Sequence, residues 1–324
     1  MQTKKAKILI LSQATLESST DYFCKWLNYY NIPFKRLNGE DLFDIDDLND
    51  LPNNEDYDII WFRRRIASFP KVDYSLKKEH FNNQHVLREF INDEFNTLHN
   101  FLIFRFDLNK WVNNPLIDRQ INKLNILQLA KKNGLKIPFT QVVTTKQKIA
   151  DYIAEYKELI LKPLSEVIFL DTDDDAADVY KMLSKVLDYK NLKYVPEKFF
   201  PSLIQENVQK KMEIRVFYLF GEFFSMAIYS QNNKNTKDDF RNYDMKRPNR
   251  NVPYKLPKKI ENSLRNFMNE LKFNMGSIDL ILTDKGEYVF LEINPEGQFG
   301  MVSYPCNYYL EREMTKKFLE KINQ

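Results

Sequence analysis

Apolar residues along this chain fall either into short unbroken runs or into helical spacing, with polar loops between the two kinds. The first run, KILIL at 7–11, is of strand type, and after the loop SQATLESST the apolar positions Phe23, Trp26, Leu27 and Tyr30 follow a helical period. Thr20 or Asp21 would cap that helix. IPFKRLN and YDIIWFRRR read as a second and a third strand, so strands alternate with helical connections as in a small parallel α/β domain, completed by a helical pattern around Phe81 to Leu102.

The sharpest punctuation follows. Pro115 interrupts, Asp118 is placed to cap a helix running through Ile121, Leu124 and Leu127 or Gln128, and Gly134 sits where a left-handed residue would end it. Domain boundaries near Asn113 and Pro201 divide the chain into 1–112, 113–200 and 201–324. KIPFTQVV and ELILKPL read as strands around a helix from Lys146 to Tyr156, and DTDDDAADVYKMLSKVL reads as a loop passing into an amphipathic helix. SLIQENV, EIRVFYLF and EFFSMAIYS are consecutive strands. The polar segment from Gln231 to Leu256 is long for a structureless connection, which marks it as functional or mobile. A helix over KKIENSLRNFMNELKF, an apolar hairpin over 276–300 and a last helix from Tyr308 to Ile322 close the chain.

Composition narrows the function. With 324 residues, 43% of them hydrophobic, the chain can build two or three packed units. A formal charge of +3, from 48 basic and 45 acidic residues interspersed, gives no bulk attraction to nucleic acid or an anionic membrane. Cys24 and Cys306 are too far apart for a CxxC site and read as packed thiols in a reducing compartment, and no apolar run is long enough for a signal-peptide core or a membrane span, which gives a cytoplasmic protein. Only seven glycines occur, and none forms a Walker loop or a dinucleotide fingerprint, so any nucleotide is held in another way. The histidines His80, His85 and His99 lie in the first region, away from the candidate chemistry.

That chemistry begins in the hairpin, GSIDLILTDKGEYVFLEINPEGQFG. A two-residue turn at Lys285 and Gly286 would place Asp279 directly opposite Glu292, with Asn294 on the same face; a three-residue turn would put Asp279 on the other face. Facing carboxylates suit a hard divalent ion such as magnesium, which is usually completed by phosphate oxygens. Cations for such phosphates are Lys162, at the end of an apolar strand, and Lys123, with Arg119 one turn earlier.

The ordered series NP, K, LKP, QENV, EIRVF, DFR, IDL and LEINP, spread over most of the chain after Asn113, resembles the ATP-grasp carboxylate-amine ligases; INPEGQFGMVSYPCNYYLE and WFRRR resemble the graspetide peptide maturases of the microviridin and grasp-with-spasm type. The resemblance implies an α/β (α+β) ATP-grasp fold: an N-terminal Rossmann-like pre-ATP-grasp domain, a central α+β domain and a C-terminal antiparallel-sheet domain with the magnesium site. It also implies ATP and Mg2+ as cofactors. Lys123 and Lys162 would touch ATP phosphates; Gln205, Glu206 and Val208 would receive the adenine; Glu213 would hold the ribose hydroxyls. Arg215 and Arg241 would face the transferring phosphoryl group, and Asp279, Glu292 and Asn294 would bind magnesium. Gln231 departs from the arginine that related ligases often carry nearby.

A carboxylate resists nucleophiles until it carries a leaving group, and phosphorylation supplies one. The implied substrate is a ribosomal precursor peptide with a leader docking on the central domain, whose core Asp and Glu side chains are joined to Ser, Thr or Lys as ω-esters or ω-amides. A homodimer is compatible with this reading. In WFRRR, Arg63 and Arg65 would point one way along a strand and Arg64 the other, so that this basic group steers or clamps acidic side chains. The competing readings are an ATP-grasp ligase acting on a small molecule or adding amino acids to a protein tail, and a peptide-binding scaffold without catalysis.

Overall fold

The computed structural model describes residues 7–15, 17–64, 84–118, 121–165, 169–171, 179–181, 185–231, 244 and 246–323. Contacts group the chain into two units. One comprises Met1–Gln120, Lys272–Gly276 and Pro295–Gln324, the other Ile121–Leu271 and Ser277–Asn294.

The first unit is built on a parallel sheet of order β2-β1-β3, from β1 (Ile8–Ser12), β2 (Phe34–Asn38) and β3 (Ile59–Phe62). β1 and β3 are buried along their whole length, which is why ILIL and IIWF are unbroken apolar runs, whereas the edge strand β2 (FKRLN) keeps polar positions. Leu9, Leu11, Ile60 and Phe62 pack into a cluster with Phe95 and Leu102 of α2 (Gln84–Phe104) and with Trp111. On the other face the Trp61 ring meets Phe23 of α1 (Ser18–Tyr29) at 5.0 Å and Phe318 of α8 (Leu310–Ile322) at 6.1 Å. Burying each such side chain contributes about 1.5–3 kcal/mol. The residue at the N-cap position of α1 is Glu17, not Thr20 or Asp21, which lie inside the helix. The short α3 (Pro115–Asp118) takes up Pro115, and α7 (Gly300–Cys306) is a helix that the sequence pattern did not reveal.

In the second unit, α4 (Lys123–Lys132) is capped by Asn122, whose Oδ1 accepts from Leu124 N at 2.9 Å; Asp118, the sequence-based choice, belongs to α3. Gly134 follows α4 with φ +78°. Strands β4 (Thr140–Thr145), β5 (Leu159–Lys162), β8 (Lys185–Leu187) and β9 (Lys198–Glu206) form a sheet of order β4-β9-β5-β8, backed by α5 (Lys146–Tyr156). The amphipathic helix expected near 176–187 is replaced, among the described residues, by β7 (Val179–Lys181), paired with β6 (Phe169–Asp171), and by β8, paired with β5. Cross-strand pairing overrode helical spacing there. The acids at 172–175 lie outside the described residues.

The unit's second sheet has the order β12-β11-β10-β13-β14, from β10 (Met212–Leu219), β11 (Glu222–Tyr229), β12 (Arg250–Tyr254), β13 (Met275–Leu282) and β14 (Tyr288–Asn294). Every residue of β10 and β13 is buried, as central strands require. Helix α6 (Lys258–Leu271) packs Phe267 against Phe290 of β14, with ring centroids 5.1 Å apart. β12 lies within the segment read from sequence as a polar interruption. It is an edge strand, the place in a sheet where a proline such as Pro253 is tolerated.

Candidate active site

The β13–β14 hairpin places the carboxylates. Its turn is not the two-residue one: Thr283 N donates to Glu287 O at 3.0 Å and Gly286 N to Thr283 O at 3.0 Å, leaving residues 284–286 in the loop. Gly286 has φ +79°, the left-handed residue that such three-residue loops use. Leu282 therefore pairs with Tyr288 and Leu280 with Phe290, a register that by itself would move Asp279 off Glu292. The register shifts between Asp279 and Leu280, where Leu291 is the extra residue, and beyond this bulge Asp279 stands directly opposite Glu292. Asn294, two residues on and opposite Ser277, is exposed and lies outside the lining of the adjoining cleft.

That cleft is bounded by strands of both sheets of the second unit. Alternation on β5 sends Ile160 and Lys162 into it while Leu159 and Leu161 pack into the core, and the β5–β9 register sets Ile160 beside Gln205. From β10 come Glu213 and Arg215, two residues apart on one face, with Ile228 of β11 opposite Glu213. Asp279, Ile281, Leu291 and Glu292 complete that side. Glu206, Asn207, Val208 and Lys210 line the passage between β9 and β10. Three cations and four carboxylates thus share a cleft with apolar walls formed by Ile160, Ile228, Ile281 and Leu291.

Each charge has a defined environment. Arg215 Nη1 spans both oxygens of Asp279 at 3.1 and 2.9 Å, so the charge offsetting Asp279 is a guanidinium of this chain. Arg215 Nε is buried and has no hydrogen-bond partner among the described residues. Glu213 is paired with Lys210 and accepts from Ser230 Oγ at 2.8 Å. Gln205 Nε2 donates to Thr140 Oγ1 at 3.0 Å, and Val208 N donates to Glu206 O at 3.1 Å. Lys123 is absent from the lining: its Nζ donates to the carbonyls of Pro163, at 3.2 Å, and Ser165, tying α4 to the segment after Lys162.

Sequence reasoning missed Lys210, Asn207 and Ser230. No periodicity marks them, because they sit in or just past strand connections; only the fold brings Lys210 and Ser230 to Glu213 and Asn207 to the cleft. Arg65, Arg119, Arg241 and His80 lie outside the described residues.

Arg63 and Arg64 belong to the first unit and do not alternate. β3 ends at Phe62, and both arginines turn to Glu17, with Arg63 Nε 3.0 Å from Oε1 and Arg64 Nε 2.8 Å from Oε2. Arg63 is 2% exposed; it also donates to Glu296 O and lies over the Trp61 and Phe299 rings at 5.9 and 5.7 Å. It is part of the packing, which removes it as a direct clamp for substrate. The Arg64 side chain remains 26% exposed.

The facing carboxylates fit magnesium. Magnesium is held by one or two carboxylates and completed by waters and phosphate oxygens, and Asp279 and Glu292 supply that oxygen-only donor set. Among the described residues no group of three or more His, Cys, Asp or Glu forms a self-sufficient metal cage.

These sheets and the parallel three-stranded α/β unit make up a fold that the chain shares with solved ATP-grasp ligases. Among solved structures, the chain is similar to the RiPP-associated ATP-grasp ligase of Chryseobacterium gregarium, solved with ADP and a leader and core peptide, at TM-score 0.78 and 20% identity, covering 98% of this chain and 96% of that one. It is similar to the macrocyclase MdnC of Microcystis aeruginosa MRC bound with precursor peptide MdnA, at TM-score 0.77 and 20% identity, covering 97% and 99%. It is also similar to the ATP-grasp ligase PsnB complexed with a phosphomimetic variant of its minimal precursor, Mg and ADP, at TM-score 0.72 and 13% identity, covering 99% and 100%. No family model and no curated protein matches the sequence.

Proposed function

We propose that this protein is an ATP- and magnesium-dependent ligase that activates Asp or Glu side chains of a ribosomal precursor peptide and joins them to Ser, Thr or Lys side chains, closing macrocyclic esters or amides. The observation that carries the reading is the convergence of Lys162, Glu213, Arg215, Asp279 and Glu292 on one cleft, with the last two directly opposite each other. The bound peptides and ADP of the similar structures favour this substrate class.

In this reading Gln205, Glu206 and Val208 receive the adenine, Ile160 and Ile228 sandwich it, and Glu213 accepts from the ribose hydroxyls. Lys162 meets the phosphates, with Lys123 holding the segment that follows it. Asp279 and Glu292 hold magnesium, with Asn294 beside them at the strand end. A peptide carboxylate oxygen attacks the γ-phosphorus and the bond to ADP breaks; Arg215, with Arg241, offsets charge on the phosphoryl oxygens. A hydroxyl or amine then attacks the acyl carbon, phosphate leaves with the bonding electrons, and the nucleophile's proton is released. Magnesium held by Asp279 and Glu292 would supply positive charge that lowers the repulsion between the phosphates and the incoming carboxylate. Arg64 is the residue of WFRRR offered to acidic side chains of the peptide.

Lys162→Ala and Glu292→Ala are each expected to leave the protein folded, by circular dichroism, and to abolish both peptide-dependent ADP release and the loss of 18 Da per ring on the peptide, a shift of about 18 Da being one water. Water loss persisting in either variant overturns the site. Turnover with free amino acids in place of an acidic, Ser/Thr-rich peptide would assign the chain to small-molecule ligation instead.

A further inference from the structure

Lys210 has no place in the reading above, yet it lies in the same cleft with its side chain only 9% exposed. It is paired with one oxygen of Glu213, whose own side chain is 8% exposed. The other oxygen accepts from Ser230 Oγ, and Ser230 is fully buried. Gln231 Nε2 in turn donates to that hydroxyl at 3.2 Å. The carboxylate is thus gripped from both sides by donors on two connections, one before β10 and one after β11.

Such a grip does two things. It fixes the plane of the carboxylate, so that what approaches from the cleft meets an acceptor of set direction. It also leaves the remaining lone pairs of the carboxylate, which can only accept, for a group arriving from the cleft. An acceptor-only group in a nucleotide cleft attracts hydroxyls and repels phosphate oxygens. The neighbouring ammonium lowers that repulsion without itself accepting a hydroxyl proton.

We propose that Lys210 and Ser230 are positioning residues that orient Glu213 to read the 2′-hydroxyl of the nucleotide's ribose, making the site selective for ribonucleotides over 2′-deoxyribonucleotides. The proposal rests on the adenine-nucleotide reading of the cleft. A hydroxyl bonded to a charged acceptor separates ligands by about tenfold or more.

Calorimetric titration of the full chain with ADP and with 2′-deoxy-ADP, in magnesium, tests it. The wild type is expected to prefer ADP by about tenfold, Lys210→Met to lose most of that preference, Lys210→Arg to keep it, and Ser230→Ala to fall between. A Lys210→Met protein that binds both nucleotides more weakly but keeps the wild-type ratio would make Lys210 a phosphate contact and overturn the proposal. If Lys210→Met does not fold, an unchanged ratio in Ser230→Ala overturns it. A wild type that binds neither nucleotide removes the underlying reading as well, and does so before any variant is measured.

Discussion

Glu17 holds two consecutive arginines at once, and their different exposure separates their roles. Arg63 is sealed between Glu17, the Glu296 carbonyl and two aromatic rings, whereas Arg64 reaches the same carboxylate from a partly open position. Removing one partner of a buried ion pair leaves the other uncompensated, so Arg63→Met should destabilise the protein by about 3 kcal/mol, read by urea denaturation. The retained Arg64 and Thr20 contacts to Glu17 hold the loss near the lower end of the usual range. Arg64→Met should leave the denaturation midpoint nearly unchanged and raise the KM for an acidic peptide. Equal destabilisation by the two changes would contradict this division. The sequence presented the pair as alternating strand residues; that β3 stops at Phe62 became visible only with its partner strand in place.

Among elements, the β13–β14 hairpin carries the candidate chemistry, and two local irregularities cancel to do it. The turn is one residue longer than the shortest one, and the bulge at Leu291 returns the lost residue before Asp279 is reached. Gly286→Ala meets open space but places a Cβ at positive φ, so it should cost about 1 kcal/mol while ADP release stays at the wild-type rate. Deleting Leu291 tests the bulge itself: Phe290 keeps Leu280 and Glu292 keeps Asp279 as cross-strand partners, so the carboxylates stay in opposition and magnesium-dependent turnover should survive in a folded protein. Turnover lost on that deletion would show that opposition alone is not enough and that the local bend of the bulge is used as well. The chain pattern made the hairpin and its three oxygen-bearing residues legible, and even the choice between two registers. The bulge was not legible, since a single aliphatic residue between Phe290 and Glu292 carries no mark of being unpaired. Helical spacing near 176–187 misled in the same way, because β8 is held by its partner β5 rather than by its own preference.

On the scale of the whole molecule, the two cysteines report on the first unit. Burial pushes the thiols of Cys24 and Cys306 up to about 11 each. An unfolded thiol ionises near 8.5, so above that pH the unfolded state loses protons first. The stability associated with the protonated thiols is therefore fully present below about pH 8.5 and is lost as the pH rises towards 11. Thermal midpoints should fall across that window, and Cys24→Ala/Cys306→Ala should flatten the fall. Thiol titration at pH 8 should be slow in the native protein and fast in urea; equally fast reaction in both would place the thiols in solvent. No helix among the described residues is long and apolar enough to cross a membrane.

Local order was written into the sequence: the buried parallel strands, most helices, and the residue types able to handle a nucleotide and a hard metal ion. These follow from short-range physics, because apolar runs and periodic faces show where burial is obligatory. Which charges meet was decided only by the tertiary structure. Arg215 stands beside Asp279, Lys210 and Ser230 close on Glu213, and Arg63 is withdrawn from solvent, since long-range pairing and a one-residue bulge choose partners that no local spacing encodes.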